Sequence, residues 1–337
     1  RTPSPQLTQL PQFASPQCGL PINTKQSRTG DQQSYNHFKA WLHNPLLQQV
    51  ASYFIPFNTR RHVGMKLAIL ITAIVFSALL GLYLIQDRLM LFPMPDDPRR
   101  ADLAVAGSVP WSDGGIYRGL VFEPASQAKG TILFFHGNAG AAQYRAAYAH
   151  RLTTYGYRVV LHEYPGFGAR SGHASLPSAI ESSSHDAESA RARWPGPMYL
   201  MGESLGAGIA AQVATSNPAG FEGLVLITPW ENLAALVNEN FAGIPLSLLL
   251  RARLDTIDAL KHYPGNIVVI GAENDTLIPV AHARTLAGSH TGVHYLELLG
   301  AGHNDWFDAM SVVQWDQVIS MMAGSQPLRP RQSSNDF

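Results

Sequence analysis

The segment Met198 to Ala214, MYLMGESLGAGIAAQVA, restricts the fold of this chain more than any other. A short run of strand character passes straight into a serine, and small and apolar residues suited to a helix follow without a spacer. Ser204 therefore sits at a strand-to-helix corner, with Gly202 and Gly206 two positions to either side. At so sharp a corner, side chains at those two positions would collide with neighbouring backbone, and glycine removes them. A helix that opens at the corner also turns its N-terminal amides and the positive end of its dipole toward the serine hydroxyl. This is the setting of a nucleophile; the competing interpretation is a tight turn that only packs a helix on a sheet.

The rest of the chain supplies the sheet. Apolar, β-branched runs at Gly115–Pro124, Gly130–Gly137, Tyr157–Pro165, Met198–Glu203, Gly223–Pro229, Asn266–Asp275 and His294–His303 are expected as strands. Helical patterns near Ala141–Tyr155, Pro177–Arg193, Leu205–Thr215, Ala281–Ala287 and Ser311–Met322 alternate with them. Alternation with short connections predicts an α/β fold, a mostly parallel central sheet flanked by helices through right-handed crossovers. The one longer interval, 231–263, is expected to form a small cap over the sheet. No internal repeat is present.

Ahead of this region, Leu67 to Ile85 is a run of nineteen residues without a charge, LAILITAIVFSALLGLYLI, close to the ~20 needed to cross a bilayer. It ends in Gln86, Asp87 and Arg88 rather than a small-residue cleavage site, so an uncleaved anchor over 65–87 is expected. Arg60, Arg61 and Lys66 before the run nearly balance Arg88, Arg99 and Arg100 after it, and the short basic N-terminus mildly favours a catalytic part outside the cytoplasm. Residues 1–64 are rich in Gln, Pro, Ser and Asn and are expected to be largely disordered, with an apolar stripe from Phe38 to Phe54 that Pro45 interrupts. Because Met65 and Lys66 directly precede the apolar run, membership of 1–64 in the native product is left open. A Pro-rich linker, Phe92 to Arg100, leads into a domain over 88–324, and a disordered tail over 325–337 follows.

Composition excludes some classes. Lys plus Arg equals Asp plus Glu at 24 each, and charged residues are 14% of the chain, so nothing points to nucleic acid. Cys18 is the single cysteine, which excludes an intramolecular disulfide and a cysteine metal cluster.

A serine hydroxyl needs a base to take its proton, and the base needs a partner to orient it. Of thirteen histidines, His303 stands out in LLGAGHNDW, directly after the last strand-like run. Asp275 closes IVVIGAENDTLIP at another strand end, and the order Ser204, Asp275, His303 suits this kind of sheet. Glu273, Asp305 and Glu231 are weaker candidates for the acid. In HGNAG the glycines free the backbone to turn amides inward, so the Asn138 amide is expected to act with the Leu205 amide as oxyanion donors. His136 is expected to hold that loop rather than to catalyse. The loop Glu163 to Gly172 is expected to border the pocket, with Tyr164 and Gly166 as substrate-binding positions; a plain glycine-rich connection is the alternative.

Taken together, FFHGNAG, EYPGFGARSG, GESLGAG, GAENDTLIP and GAGHND resemble, in order and spacing, the α/β-hydrolase superfamily over roughly Arg88 to Gly324. The likeness is greatest to its small-capped, membrane-anchored branch with the HGN loop, which includes lysophospholipase-like and protein-depalmitoylase-like hydrolases. That resemblance implies Ser204 as nucleophile, Asp275 as acid, His303 as base and the Asn138 and Leu205 amides as oxyanion donors, with no metal or organic cofactor. Depalmitoylases of the branch carry a cysteine-rich N-terminus, whereas this chain has only Cys18 and an apolar run, so anchored bacterial hydrolases are the nearer analogy. The implied activity is hydrolysis of a carboxylic ester or thioester, on a small-molecule or lipid acyl substrate. An amide-cleaving peptidase and a catalytically silent, membrane-tethered binding protein are the alternatives. Nothing in the sequence specifies an oligomeric state.

Overall fold

The computed structural model describes residues 44, 45, 49, 57–94, 105–241 and 245–324. The apolar stripe between Phe38 and Phe54, most of the N-terminal extension and the tail 325–337 fall outside the described residues. The chain divides into two compact units, Arg1–Phe76 and Ser77–Phe337. A single helix, α1 (Phe57–Met90), contributes to both, and its segment Arg61–Met90 is long and apolar enough to cross a membrane. No residue of its most apolar window is buried, unlike the core helix of a globular domain.

The second unit is built on an eight-stranded sheet. In chain order its strands are β2 (Ser108–Asp113), β3 (Ile116–Phe122), β4 (Thr131–Phe135), β6 (Arg158–His162), β7 (Met198–Glu203), β8 (Gly223–Ile227), β9 (Asn266–Ala272) and β10 (Val293–Leu298); β1 (Phe92–Pro93) and β5 (Ala139–Gly140) form a separate two-residue pair. The spatial order is β10-β9-β8-β7-β4-β6-β3-β2. All neighbours from β10 to β6 are parallel, and β3 joins β6 and β2 antiparallel.

Helices cover both faces, which is why the central strands read as continuous apolar runs rather than alternating ones. Period two still sorts their side chains: Ile132 and Phe134 of β4 enter one core, Leu133 and Phe135 the other. The first core packs α2 (Ala146–Thr154) and, later in the chain, the tryptophans Trp306 and Trp315. The second packs α3 (Leu176–Arg193) and α4 (Leu205–Ser216). Helices α5 (Leu233–Asn240) and α6 (Thr256–Leu260) bracket a 3-10 turn at Leu246–Leu249, and α7 (Val280–Gly288), α8 (Trp306–Ala309) and α9 (Val312–Met322) complete the unit. Local caps mark the starts: the Ser175 side chain accepts from the Ser178 N–H to begin α3, and Ser311 with Gln314 forms a capping box on α9.

Two features depart from expectation. Strand β2 is absent from the expected strands; it contains Pro110, which it tolerates because it lies at the edge of the sheet among the described residues. The start of the presumed linker is not free chain either, since Phe92–Pro93 pairs in parallel with Ala139–Gly140.

Candidate active site

Strand β7 ends at Glu203 and α4 begins at Leu205, so Ser204 alone makes the corner, at φ 53° and ψ −119°. A non-glycine residue in this region is strained and persists only where its surroundings hold it. Its N–H donates to the Ile227 carbonyl at 2.9 Å. The flanking glycines are sterically required: a Cβ on Gly202 would stand 2.1 Å from the Gly206 carbonyl oxygen, and one on Gly206 2.1 Å from that of Phe135.

The parallel strands deliver three side chains to one edge of the sheet. Ser204 follows β7, Asp275 follows β9 and His303 follows β10, each at a carboxyl end. His303 Nε2 lies 3.0 Å from Ser204 Oγ, and His303 Nδ1 lies 2.6 Å from Asp275 Oδ2. Asp275 is buried, and its Oδ1 accepts from the Leu277 and Ile278 N–H groups at 2.8 Å, which fixes the carboxylate against rotation. An imidazole that donates from Nδ1 to a carboxylate presents an unprotonated Nε2 to the hydroxyl, the tautomer a general base needs. The other acids have different partners: Glu273 accepts from Gly300 N–H, Asp305 from Gly302 N–H, and Glu231 pairs with His282.

Ser204 opens onto a cavity of about 560 Å³, whose lining includes Gly137, Asn138, Ala139 and Leu205. Leu205 is the first residue of α4, so its N–H has no acceptor within the helix. His136 holds the opposite loop from behind, at 2.8 Å from the Gly137 carbonyl and 3.0 Å from Glu163 Oε1, and Glu163 Oε2 accepts from Ala142 N–H at 3.0 Å. Tyr164 and Gly166 do not reach the cavity, contrary to expectation. Tyr164 is fully buried and donates its hydroxyl to the His136 carbonyl at 2.8 Å, while Gly166, at φ +80°, packs against Ala174. The loop 163–172 turns inward because its polar groups brace the HGN loop rather than facing solvent.

Residues 126–257 match the family described as serine aminopeptidase, S33. The uncharacterised protein Rv2307c of Mycobacterium tuberculosis is 30% identical over 234 residues, spanning 65% of this chain and 81% of that protein. The chain belongs to the α/β-hydrolase family. As a member it is a serine hydrolase. The lysophosphatidylserine lipase ABHD12 of Danio rerio is 27% identical over 171 residues, 44% of each chain. A crystal structure of Est1E from Butyrivibrio proteoclasticus with bound ferulic acid superimposes with a TM-score of 0.54 at 14% identity, covering 64% of this chain and 99% of that one, a likeness of fold.

Several groups at the site of this α/β-hydrolase are not evident from its motifs. Glu203, the residue before Ser204, is buried; it accepts from Arg145 Nε at 2.6 Å, Trp306 Nε1 at 3.2 Å and the Gly137 N–H at 3.3 Å. An acid at the buried end of a strand was the one available signal, because such a charge must find partners. Tyr148 lines the cavity, and burial, reinforced by Glu203, pushes its phenol up to about 12, so it stands there as a neutral hydroxyl. Much of the remaining wall is apolar, with Leu89 and Met90 from α1, Leu233, Leu236, Val237 and Phe241 from α5 and the residue after it, and Trp230, Leu277, Ile278 and Trp306, while Arg145, Thr228, Asn240 and Asn304 add polar groups.

Behind the bracing loop lies a buried ionic cluster. Asp186 of α3 is fully buried and pairs with Arg118, with Arg170 Nη1 and, at 2.9 Å, with His162 Nε2. Burial, then the nearby Arg170, holds the His162 imidazole well below its ordinary 6.5, and among the described residues its Nδ1 has no hydrogen-bond partner to accept from a second N–H. The folded protein therefore keeps His162 neutral where the unfolded chain takes up a proton, so stability falls as pH drops below about 6.5, by at most about 1.4 kcal/mol per unit from this residue. Urea midpoints from pH 7 to 5 should fall less steeply for His162→Gln than for the parent. Equal slopes would remove His162 as the cause.

Proposed function

We propose that the protein is a membrane-anchored serine hydrolase of carboxylic esters or thioesters with lipid acyl substrates, its anchor spanning 65–87 and its catalytic domain 88–324. The observation that carries this is the connected path Ser204–His303–Asp275 at the floor of a largely apolar cavity. Ser204 Oγ attacks the acyl carbon as His303 Nε2 takes its proton, and the Asn138 and Leu205 amides receive the oxyanion. The tetrahedral intermediate expels an alcohol or thiol that carries away the proton from His303. Water, deprotonated in turn by His303, attacks the acyl-enzyme, and the acid leaves with Ser204 reprotonated.

Three observations support a lipid substrate. The cavity volume falls in the range of ~300–1,000 Å³ usual for small-molecule sites, with an apolar wall suited to an acyl chain. Leu89, Phe241 and Leu277 line it and are also 53%, 53% and 57% exposed, giving the cavity an apolar rim. Leu89 follows the end of the uncharged run, Ile85, by only about 6 Å at the helical rise of ~1.5 Å per residue, which brings that rim close to the membrane surface. ABHD12, a lysophosphatidylserine lipase by name, points the same way.

An acyl-length series of p-nitrophenyl esters tests the substrate class. Each added CH₂ that enters the cavity should raise kcat/KM by up to about fourfold, from ~0.8 kcal/mol per buried methylene. A preference for short, water-soluble esters would reject lipid specificity. The peptidase alternative requires a group to bind a peptide terminus; the carboxylate on the described cavity lining, Glu203, is already committed to Arg145, Gly137 and Trp306. Aminoacyl anilides should therefore be cleaved far more slowly than matched esters, and comparable rates would favour the peptidase. We further propose that the domain lies outside the cytoplasm, which labelling by an impermeant fluorophosphonate in intact cells would test.

A further inference from the structure

The apolar helix does not stop short of the catalytic site; its last turn is built into it. The Met90 carbonyl accepts from the Asn138 side-chain Nδ2 at 2.9 Å. The Phe92 N–H donates to the Asn138 carbonyl at 2.8 Å, and the Met94 N–H to the Gly140 carbonyl at 3.1 Å. Asn138 is thus held on its side chain and on its own carbonyl by residues that end or directly follow α1, while the preceding Gly137 N–H is held by Glu203. Together these contacts determine the orientation of the Asn138 backbone.

The helix end is itself pinned. Asp87 is buried, with Oδ1 accepting from the Leu176 N–H at 3.1 Å and Oδ2 paired with Arg251. Gln86 Nε2 donates to the Leu249 carbonyl at 3.1 Å, and its Oε1 accepts from the Arg251 N–H at 3.0 Å. Crossing a bilayer requires length and apolarity and none of these contacts. A buried carboxylate at the foot of such a helix is retained only if it is paired, and its partners are Arg251 and the start of α3.

We propose that Gln86 to Phe92 is a positioning element of the active site: the anchor's foot sets the oxyanion loop through Asn138, so catalysis depends on the helix being docked. The proposal rests on Ser204 as nucleophile and the Asn138 amide as oxyanion donor. A displaced donor weakens binding of the transition-state oxygen and leaves the ground state nearly untouched, so the loss falls on kcat and not on KM.

The test uses the full chain in detergent with a short, soluble p-nitrophenyl ester, so that delivery from a membrane plays no part. Active sites are counted by titration with a fluorophosphonate, and kcat is expressed per titrated site. Asn138→Ala removes the bond to Met90 while keeping the amide; Asp87→Ala releases the clamp. Each is expected to lower kcat per site by about tenfold or more, against the ~10²–10³ for deleting an oxyanion donor outright, with KM unchanged. A smaller fall in either variant, or a fall expressed in KM, overturns the proposal. Should Asp87→Ala leave no titratable protein, Asn138→Ala decides alone, because it leaves the Asp87 clamp in place. Wild-type protein that does not react with the fluorophosphonate would instead overturn Ser204 as nucleophile, a distinguishable failure.

Discussion

Replacing Ser204 by alanine is expected to lower kcat for ester hydrolysis by about 10⁶-fold, with the fold intact, because in the proposed mechanism its hydroxyl forms the acyl-enzyme. His303→Ala should cost a similar factor. The double variant should be little worse than either single one, since hydroxyl and imidazole act as a unit across 3.0 Å. Asp275→Asn should lose about 10⁴-fold, because an amide in place of the carboxylate that faces Nδ1 at 2.6 Å no longer imposes the productive tautomer. Steady-state rates with a chromogenic ester, with near-ultraviolet circular dichroism as the check on folding, decide the matter. A folded Ser204→Ala protein retaining more than about a hundredth of the parent rate would exclude this mechanism.

The largest effect on stability is expected at Asp186. Its carboxylate is the shared partner of two largely buried guanidinium groups, Arg118 and Arg170. Burial and the proximity of Arg118 already press Arg170 down to about 10. Asp186→Ala leaves both cations without that partner in a low-dielectric layer and should cost about 3–5 kcal/mol, a large share of the ~5–15 kcal/mol that holds a domain together. Urea denaturation of the detergent-solubilised protein measures it, and a loss below about 1 kcal/mol would show that water or rearrangement replaces the carboxylate. Activity should fall with the folded fraction, because Arg170 also donates to the Glu163 carbonyl at 2.7 Å and Glu163 supports His136 of the HGN loop.

Local chemistry made much of the architecture legible. The parallel strands β4, β6, β7, β8 and β9 are buried on both faces, so they appear as unbroken apolar runs between turn residues, and helices α3 and α4 follow directly from their sequence patterns. Strand β2 was not legible, because its stability comes from pairing with β3 rather than from its own composition around Pro110. The pairing of Phe92–Pro93 with Ala139–Gly140 was hidden for a similar reason: a two-residue ladder has no periodicity to detect. Tyr164 shows the opposite error. A tyrosine in a glycine-rich loop suggests a pocket residue, yet its hydroxyl turns back to the His136 carbonyl because a buried phenol must find an acceptor.

The sequence by itself determined the strained corner at Ser204, the glycines that permit it, the apolar length of α1 and the strand ends that carry an acid and a histidine. Each of these depends on neighbours a few residues away, where sterics and periodicity act directly. Only the tertiary structure decided that Asp275 rather than Glu273 faces His303, that Glu203 bridges Arg145, Gly137 and Trp306, and that Met90 holds Asn138. Those choices bring together groups far apart along the chain, and their geometry is set by how strands register and helices pack, which no local pattern encodes.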